Sequence, residues 1–265
     1  MNKLSMLLLS AALYVLSGCT AGRVAFSNPN WQNKTGYTVE GRSQTIFQKK
    51  PLRFGEFYTT QVKTSAKQSS AQTTDLEGRR TWRYNGVAGI LNQHSKSSRR
   101  LTLNNGNGQE AEIITYNQLN ASTYMFGRGL EMNFDFLLRT LGMDKKTENS
   151  YYVQVYEPDE DKPWELILDM DAIEMNPRNY AGVFALDENH YYDIKPITRM
   201  MGKNGPSSIP VGCIGYEITN PEGDTVAAVS LLGNCSVYLS ETLNAQNRFL
   251  MAGLCAALLL NEPNS

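Results

Sequence analysis

The sequence predicts a mainly β protein of the α+β kind, a many-stranded antiparallel barrel or curved sheet around a buried hydrophobic helix near the carboxyl end. Three observations lead there. Residues 249–260 read Phe-Leu-Met-Ala-Gly-Leu-Cys-Ala-Ala-Leu-Leu-Leu, a run without a polar side chain. Most of the remaining chain consists of short apolar–polar alternations between turn residues, the period of two expected of strands. Composition agrees: 14 Tyr, 9 Phe and 3 Trp with many Thr suit a pleated, half-buried surface. At 265 residues and 41% hydrophobic, the chain has material for one sizeable core, which excludes a disordered protein.

The apolar run sets the architecture. A helix of that length spans about 18 Å, short of a hydrocarbon core of about 30 Å, so it is expected inside protein. Apolar groups all round, rather than along one stripe, mean that it is surrounded. Asn244 is placed to cap the first turn, 245–248 form a polar lead-in, and Pro263 stops the helix, giving a core helix over about 244–260.

At the amino end, Lys3 precedes an apolar stretch over 4–15 that ends in Leu16-Ser17-Gly18-Cys19. Residues 1–18 have the length and order of a signal peptide, not of a membrane span. The four residues resemble the lipobox of bacterial lipoproteins. That resemblance implies cleavage before Cys19 and acylation of Cys19 with diacylglycerol and a further palmitate-type chain, a firm anchor because more than one acyl chain is used. In lipoproteins of double-membrane bacteria an Asp after the cysteine favours inner-membrane retention. Thr20 stands here, so the resemblance implies the outer membrane, facing the periplasm.

Residues 19–34, with Asn28-Pro29-Asn30, read as a tether, and 35–265 as a single β-rich domain. Strands are expected over 54–62, 80–91, 99–103, 110–116, 151–156, 164–171, 181–186 and within 209–239. Asn104-Asn105-Gly106-Asn107-Gly108 joins 99–103 to 110–116 as a hairpin, because Asn and Gly tolerate positive φ. Residues 63–74 form a polar connection or solvated ribbon, and 202–208 a surface loop. Over 132–142 a helical face ending at Gly142 competes with a strand pattern; the glycine favours the helix. Residues 213–218, 225–232 and 236–239 make a three-stranded meander leading into the core helix.

Beyond Cys19 the chain holds Cys213, Cys235 and Cys255. The meander places Cys213 opposite Leu231 and Leu231 opposite Cys235, two strand spacings of about 4.8 Å, which disfavours a bridge; a shift of register would restore it, so pairing stays open. Cys255 in the apolar run is a small buried hydrophobe.

Net charge is −1, and −2 without Lys3 and the rest of the leader. Neither supports nucleic-acid binding, which needs a concentrated basic surface. The acidic stretch 157–161 and Asp169 with Asp171 offer oxygen ligands, but the Gly-containing calcium loop is missing, and no metal or cofactor is expected. Asp169 and Asp171 on one strand would point the same way and would suit an acid–base pair. His190-Tyr191-Tyr192-Asp193 reads as an aromatic patch in a loop. No nucleophile elbow, Walker loop or dinucleotide fingerprint occurs. Arg79-Arg80 and Arg99-Arg100 are the basic pairs placed to meet phospholipid head groups.

The order of elements, many antiparallel strands and then residues 235–260 with their wholly apolar helix, resembles the tubby-like group: tubby, the phospholipid scramblases and the LURP-one-related proteins. That resemblance implies a closed barrel around the helix and an association with membrane lipids. It supplies no binding residue. The reading that results is an outer-membrane-anchored lipoprotein acting as a lipid- or protein-binding or envelope-organising module, with phospholipid or an envelope protein as partner. The alternative is a periplasmic hydrolase using the carboxylates near Asp169 and Asp171.

Overall fold

The computed structural model describes residues 22–42, 51–66, 97–119 and 149–261. The leader, Cys19, the basic pair Arg79-Arg80, the strand expected over 80–91 and the ambiguous stretch 132–142 lie outside the described residues.

In chain order the strands are β1 (Arg23–Val24), β2 (Tyr37–Thr38), β3 (Arg53–Phe54), β4 (Phe57–Ala66), β5 (Ser97–Asn104), β6 (Glu110–Leu119), β7 (Ser150–Tyr156) and β8 (Trp164–Asp169). Then follow helix α1 (Met170–Met175), β9 (Gly182–Ala185), β10 (Tyr191–Pro196), β11 (Arg199–Gly202), β12 (Gly205–Ser208), β13 (Gly215–Thr219), β14 (Thr225–Ser230), β15 (Ser236–Leu239) and α2 (Ala245–Leu259). Twelve of these strands form one antiparallel sheet in the order β2-β15-β14-β13-β10-β9-β8-β7-β6-β5-β4-β3. Its two edges meet at a bridge, where Glu40 and Arg53 exchange both backbone hydrogen bonds at 2.9 and 3.0 Å. The sheet is therefore a nearly closed barrel.

The core helix runs inside it. Its contacts fall on β14 and β15 and, across the ring of twelve, on β6 and β7. Those pairs are diametrically opposed walls. Eight strands are filled by their own side chains, whereas twelve leave room for a helix about 10–12 Å across. Every residue from Phe249 to Leu259 is buried, as the absence of a polar stripe requires. Gly253 sits at a close approach, since a Cβ there would lie 3.1 Å from Val155 Cγ1. Phe249 stacks on Phe57 with centroids 6.0 Å apart.

The structure corrects several expectations. Residues 22–34 are no tether: β1 pairs with β11, which pairs with β12, and Val24, Phe26 and Trp31 are buried against Ile197 and Ala228 on the outside of the barrel. Their large apolar side chains gain more from this second core than from solvation. The expected strand over 54–62 begins with a turn, because Gly55 at φ 56° folds β3 back on β4. Strand β8 stops at Asp169 and is buried on both faces, so its alternation does not mark one wet face. The stretches read as an aromatic loop and a surface loop are strand β10 and the end of the β11–β12 hairpin. The hairpin β5–β6, the meander β13–β14–β15 and the Asn244 cap of α2 stand as expected.

Candidate functional site

Among the described residues, cavities lie at both ends of the helix. Where α2 ends there is a cavity of about 350 Å³. Its apolar lining includes Met170, Ile173, Val211 and Leu231, and its polar groups include Ser150, Cys213, Tyr216 and Asn261. Six separated stretches of the chain meet here, at 117, 149–151, 170–174, 211–216, 231 and 261.

Helix α1 forms one wall, and local chemistry explains its start. Asp169 ends β8 and caps the helix, its Oδ1 accepting the Ala172 N–H at 2.9 Å. Asp171 accepts from the Asn149 side-chain amide at 2.8 Å, and the Met170 N–H donates to the Asn149 carbonyl at 3.0 Å. The two aspartates thus occupy a cap and a first helical turn, not one strand face, and the acid–base pair expected from their spacing does not form. Ile173 anchors α1 at 3% exposure.

Opposite, Asn261 follows the core helix and its side-chain amide reaches Met170 Sδ at 3.4 Å and the Tyr216 hydroxyl at 3.5 Å. Burial pushes the Tyr216 phenol well above its ordinary range, and burial also raises the Cys213 thiol, against the lowering effect of the Tyr216 hydroxyl and the Gly215 N–H. Both groups are therefore neutral near pH 7. Ser150 is 3% exposed, and its hydroxyl has no hydrogen-bond partner among the described residues. That hydroxyl oxygen is itself enclosed, and a buried hydroxyl without a partner costs about 1–3 kcal/mol. The chemistry on offer is apolar enclosure with a few polar contacts, neutral except for the Glu174 carboxylate at the α1 wall, and without an activated nucleophile among the described residues.

The other end holds a more polar cavity of about 470 Å³, lined in part by His190, Tyr191, Tyr192, Asn220 and Asn244. The aromatic patch read at His190 therefore does face a pocket. His190 Nδ1 lies 2.8 Å from Asp187 Oδ1. Backbone donation from Asn189 is the main cause that holds the exposed Asp187 carboxyl below its usual range.

The expected basic pair that the structure describes is used internally. Arg99 donates to the Leu260 carbonyl at 2.9 Å, and Arg100 pairs with Glu112. These two arginines serve the fold, while Arg79 and Arg80 lie outside the described residues. In the acidic stretch, Glu157 accepts from Trp164 Nε1 at 3.0 Å, and among the described residues no cluster of His, Cys, Asp and Glu is arranged for a metal ion. Cys213, Cys235 and Cys255 are free thiols. Gly215 pairs with Ser230 and Ser230 with Ser236, which keeps Cys213 and Cys235 on opposite sides of β14.

Sequence reasoning missed Ser150, Tyr216 and Asn261. Only Asn261 carries a signal, as the first polar residue after the apolar run. It also missed a polar cluster on the face of β7 and β8 turned away from α2. There the Tyr152 hydroxyl donates to Glu165, and the Gln154 amide reaches Tyr152 at 3.0 Å and Glu165 at 3.3 Å, all at 4% exposure or less. Among the described residues, no helix is long and apolar enough to cross a membrane. No family model, no curated protein and no solved structure matches this chain.

Proposed function

We propose that the chain is a lipoprotein, acylated on Cys19 and held at the outer membrane facing the periplasm, whose barrel is a lipid- or protein-binding module rather than an enzyme. The observation that carries the binding reading is the 350 Å³ cavity, apolar in most of its lining, with the Tyr216 hydroxyl, the Cys213 thiol and the Asn261 amide among its polar groups. Its volume and chemistry are those of a small-molecule site. The hydrolase reading finds no support in the same geometry, because Asp169 and Asp171 serve α1. A barrel around a hydrophobic helix supports the resemblance to the tubby-like group, and the lipid association that this resemblance implies agrees with an apolar cavity.

Cys213 reports on the site. It lines the cavity and is half-buried, while Cys235 and Cys255 are 2% and 0% exposed. It is expected to be alkylated first of the three. Because burial raises its pKa, its rate should go on rising with pH beyond the range where an ordinary thiol has levelled off. Decanoate, used as the probe, should slow that alkylation, and Val211→Trp at the exposed rim should remove the protection. Alkylation indifferent to decanoate would count against an apolar ligand here. The anchor is tested by incorporation of labelled palmitate, expected in the native chain and absent from Cys19→Ser.

A further inference from the structure

The strap that packs on the outside of the barrel carries the second inference, which rests on acylation of Cys19 for its geometry but not for its charge. Only Thr20, Ala21 and Gly22 separate Cys19 from β1. Fully extended, four residue steps from Cys19 to Arg23 reach about 14 Å. A chain anchored at Cys19 must therefore hold the β1–β11–β12 sheet close to the bilayer.

The register fixes what that sheet presents. Val24 pairs with Met200 and turns inward, where Val24 is 1% exposed. Arg23 pairs with Met201 on the opposite face, and the alternation of β11 puts Arg199 on the same face as Met201. Arg23 and Arg199 are exposed, and so is Lys203 at the turn between β11 and β12. Residues 22–34 and 197–212 contain four cations and no acid. None of Arg23, Arg199 and Lys203 forms an ion pair among the described residues. Val211, 65% exposed, adds an apolar side chain beside the cavity mouth.

A chain with a net negative charge thus carries a cationic outward face where its own lipid anchor would press it against the membrane, the carboxylate that meets the strap, Glu217 on the Ser27 N–H at 2.6 Å, being buried beneath it. We infer that the outward face of the β1–β11–β12 sheet docks on anionic phospholipid head groups, orienting the barrel so that the end holding the 350 Å³ cavity lies next to the bilayer. Each Arg or Lys near an anionic surface strengthens binding about fivefold, so three together contribute about a hundredfold. The attraction extends about a Debye length, roughly 8 Å, and weakens with salt.

Two arms test this. In the first, the mature chain with Cys19→Ser is cosedimented with vesicles of phosphatidylglycerol and phosphatidylethanolamine, and with vesicles of phosphatidylcholine. Binding should favour the anionic vesicles, fall about fivefold for each of Arg23→Gln, Arg199→Gln and Lys203→Gln, and hold for Lys162→Gln at the tip of the β7–β8 hairpin. Equal partition between the two vesicles, an equal loss with Lys162→Gln, or self-association of the chain abolished by the same three substitutions would overturn the proposal. The last result would assign the sheet to a second copy. In the second arm, the acylated chain carries a photocrosslinking residue in place of Met201 or of Asn189. Phospholipid adducts are expected from position 201 and not from 189; the reverse would overturn the orientation. A chain without an acyl group on Cys19 would refute the anchor alone, leaving the first arm to decide the surface.

Discussion

The two ends of α2 solve the same problem by opposite means. At the exposed beginning, Asn244 accepts the Asn247 N–H at 2.8 Å, a partner three residues away. At the buried end, the final carbonyls cannot reach water, and partners arrive from remote segments. Tyr151 on β7 donates to Ala257 O at 2.6 Å, Arg42 between β2 and β3 to Leu259 O at 3.0 Å, and Arg99 on β5 to Leu260 O at 2.9 Å. Two guanidinium groups also complement the negative end of the helix dipole. The difference teaches that a wholly apolar helix becomes cooperative with its barrel through its polar backbone as much as through its side chains. Its last turn is satisfied only when β5, β7 and the β2–β3 connection are in place.

The comparison breaks most severely if the helix is made polar in its middle. Ala256 is 0% exposed, and Ala256→Asp would bury a carboxyl with no partner provided. The expected loss is roughly 4 kcal/mol or more, read as a lower urea midpoint or as failure to fold. An unchanged midpoint would mean that the helix is not enclosed.

The remote caps come next. Arg42→Met and Arg99→Met each keep apolar bulk and leave a buried carbonyl without its donor, for an expected loss of about 2 kcal/mol each in chemical denaturation. Arg42→Met also frees Cys235, whose Sγ accepts from Arg42 Nη1 at 3.0 Å. Faster alkylation of Cys235 should accompany it. If both variants melted like the native chain, the buried end would be reaching water after all.

The contrast also marks how far the sequence could be read. The core helix, the Asn244 cap, the hairpin across Asn104–Gly108 and the final meander were legible, because each signal and its partner lie within a few residues. Strand spacing disfavoured a bridge between the cysteines of the meander but left it open, and the register about β14 decides it, with both thiols free. Arg42 and Arg99 as caps were not, since nothing near either residue announces a carbonyl more than 150 positions away. The same holds for the meeting of edges at Glu40 and Arg53, and for a cavity assembled from Ser150, Met170, Cys213 and Asn261. Asp169 misled for a local reason: the Asp-Met-Asp spacing continues a strand pattern, and the same Asp is a strong helix cap. Phe26 and Trp31 were the overlooked signal that the segment read as a tether had something to bury.

A smaller effect sharpens the exposed side of the comparison. Asn244→Ala removes one local cap in reach of water, and the expected loss is about 1 kcal/mol, half that of either buried arginine. Gly at the same position should cost only a few tenths.

The smallest expected change belongs to Glu56, which meets Arg248 Nε at 2.9 Å near the exposed end of the helix. The side chain of Glu56 is 44% exposed, so the pair is screened and worth about 0.5 kcal/mol at most. Arg248 does not depend on it. Its Nη2 also donates to the Tyr37 hydroxyl at 2.7 Å, and its guanidinium lies 5.8 Å from the Tyr37 ring and 5.9 Å from that of Phe57. Glu56→Gln should therefore shift the urea midpoint slightly at low salt and not at all at high salt, whereas the deficit of Arg99→Met should survive salt because its carbonyl is buried. Equal salt sensitivity at both ends would erase the distinction between them.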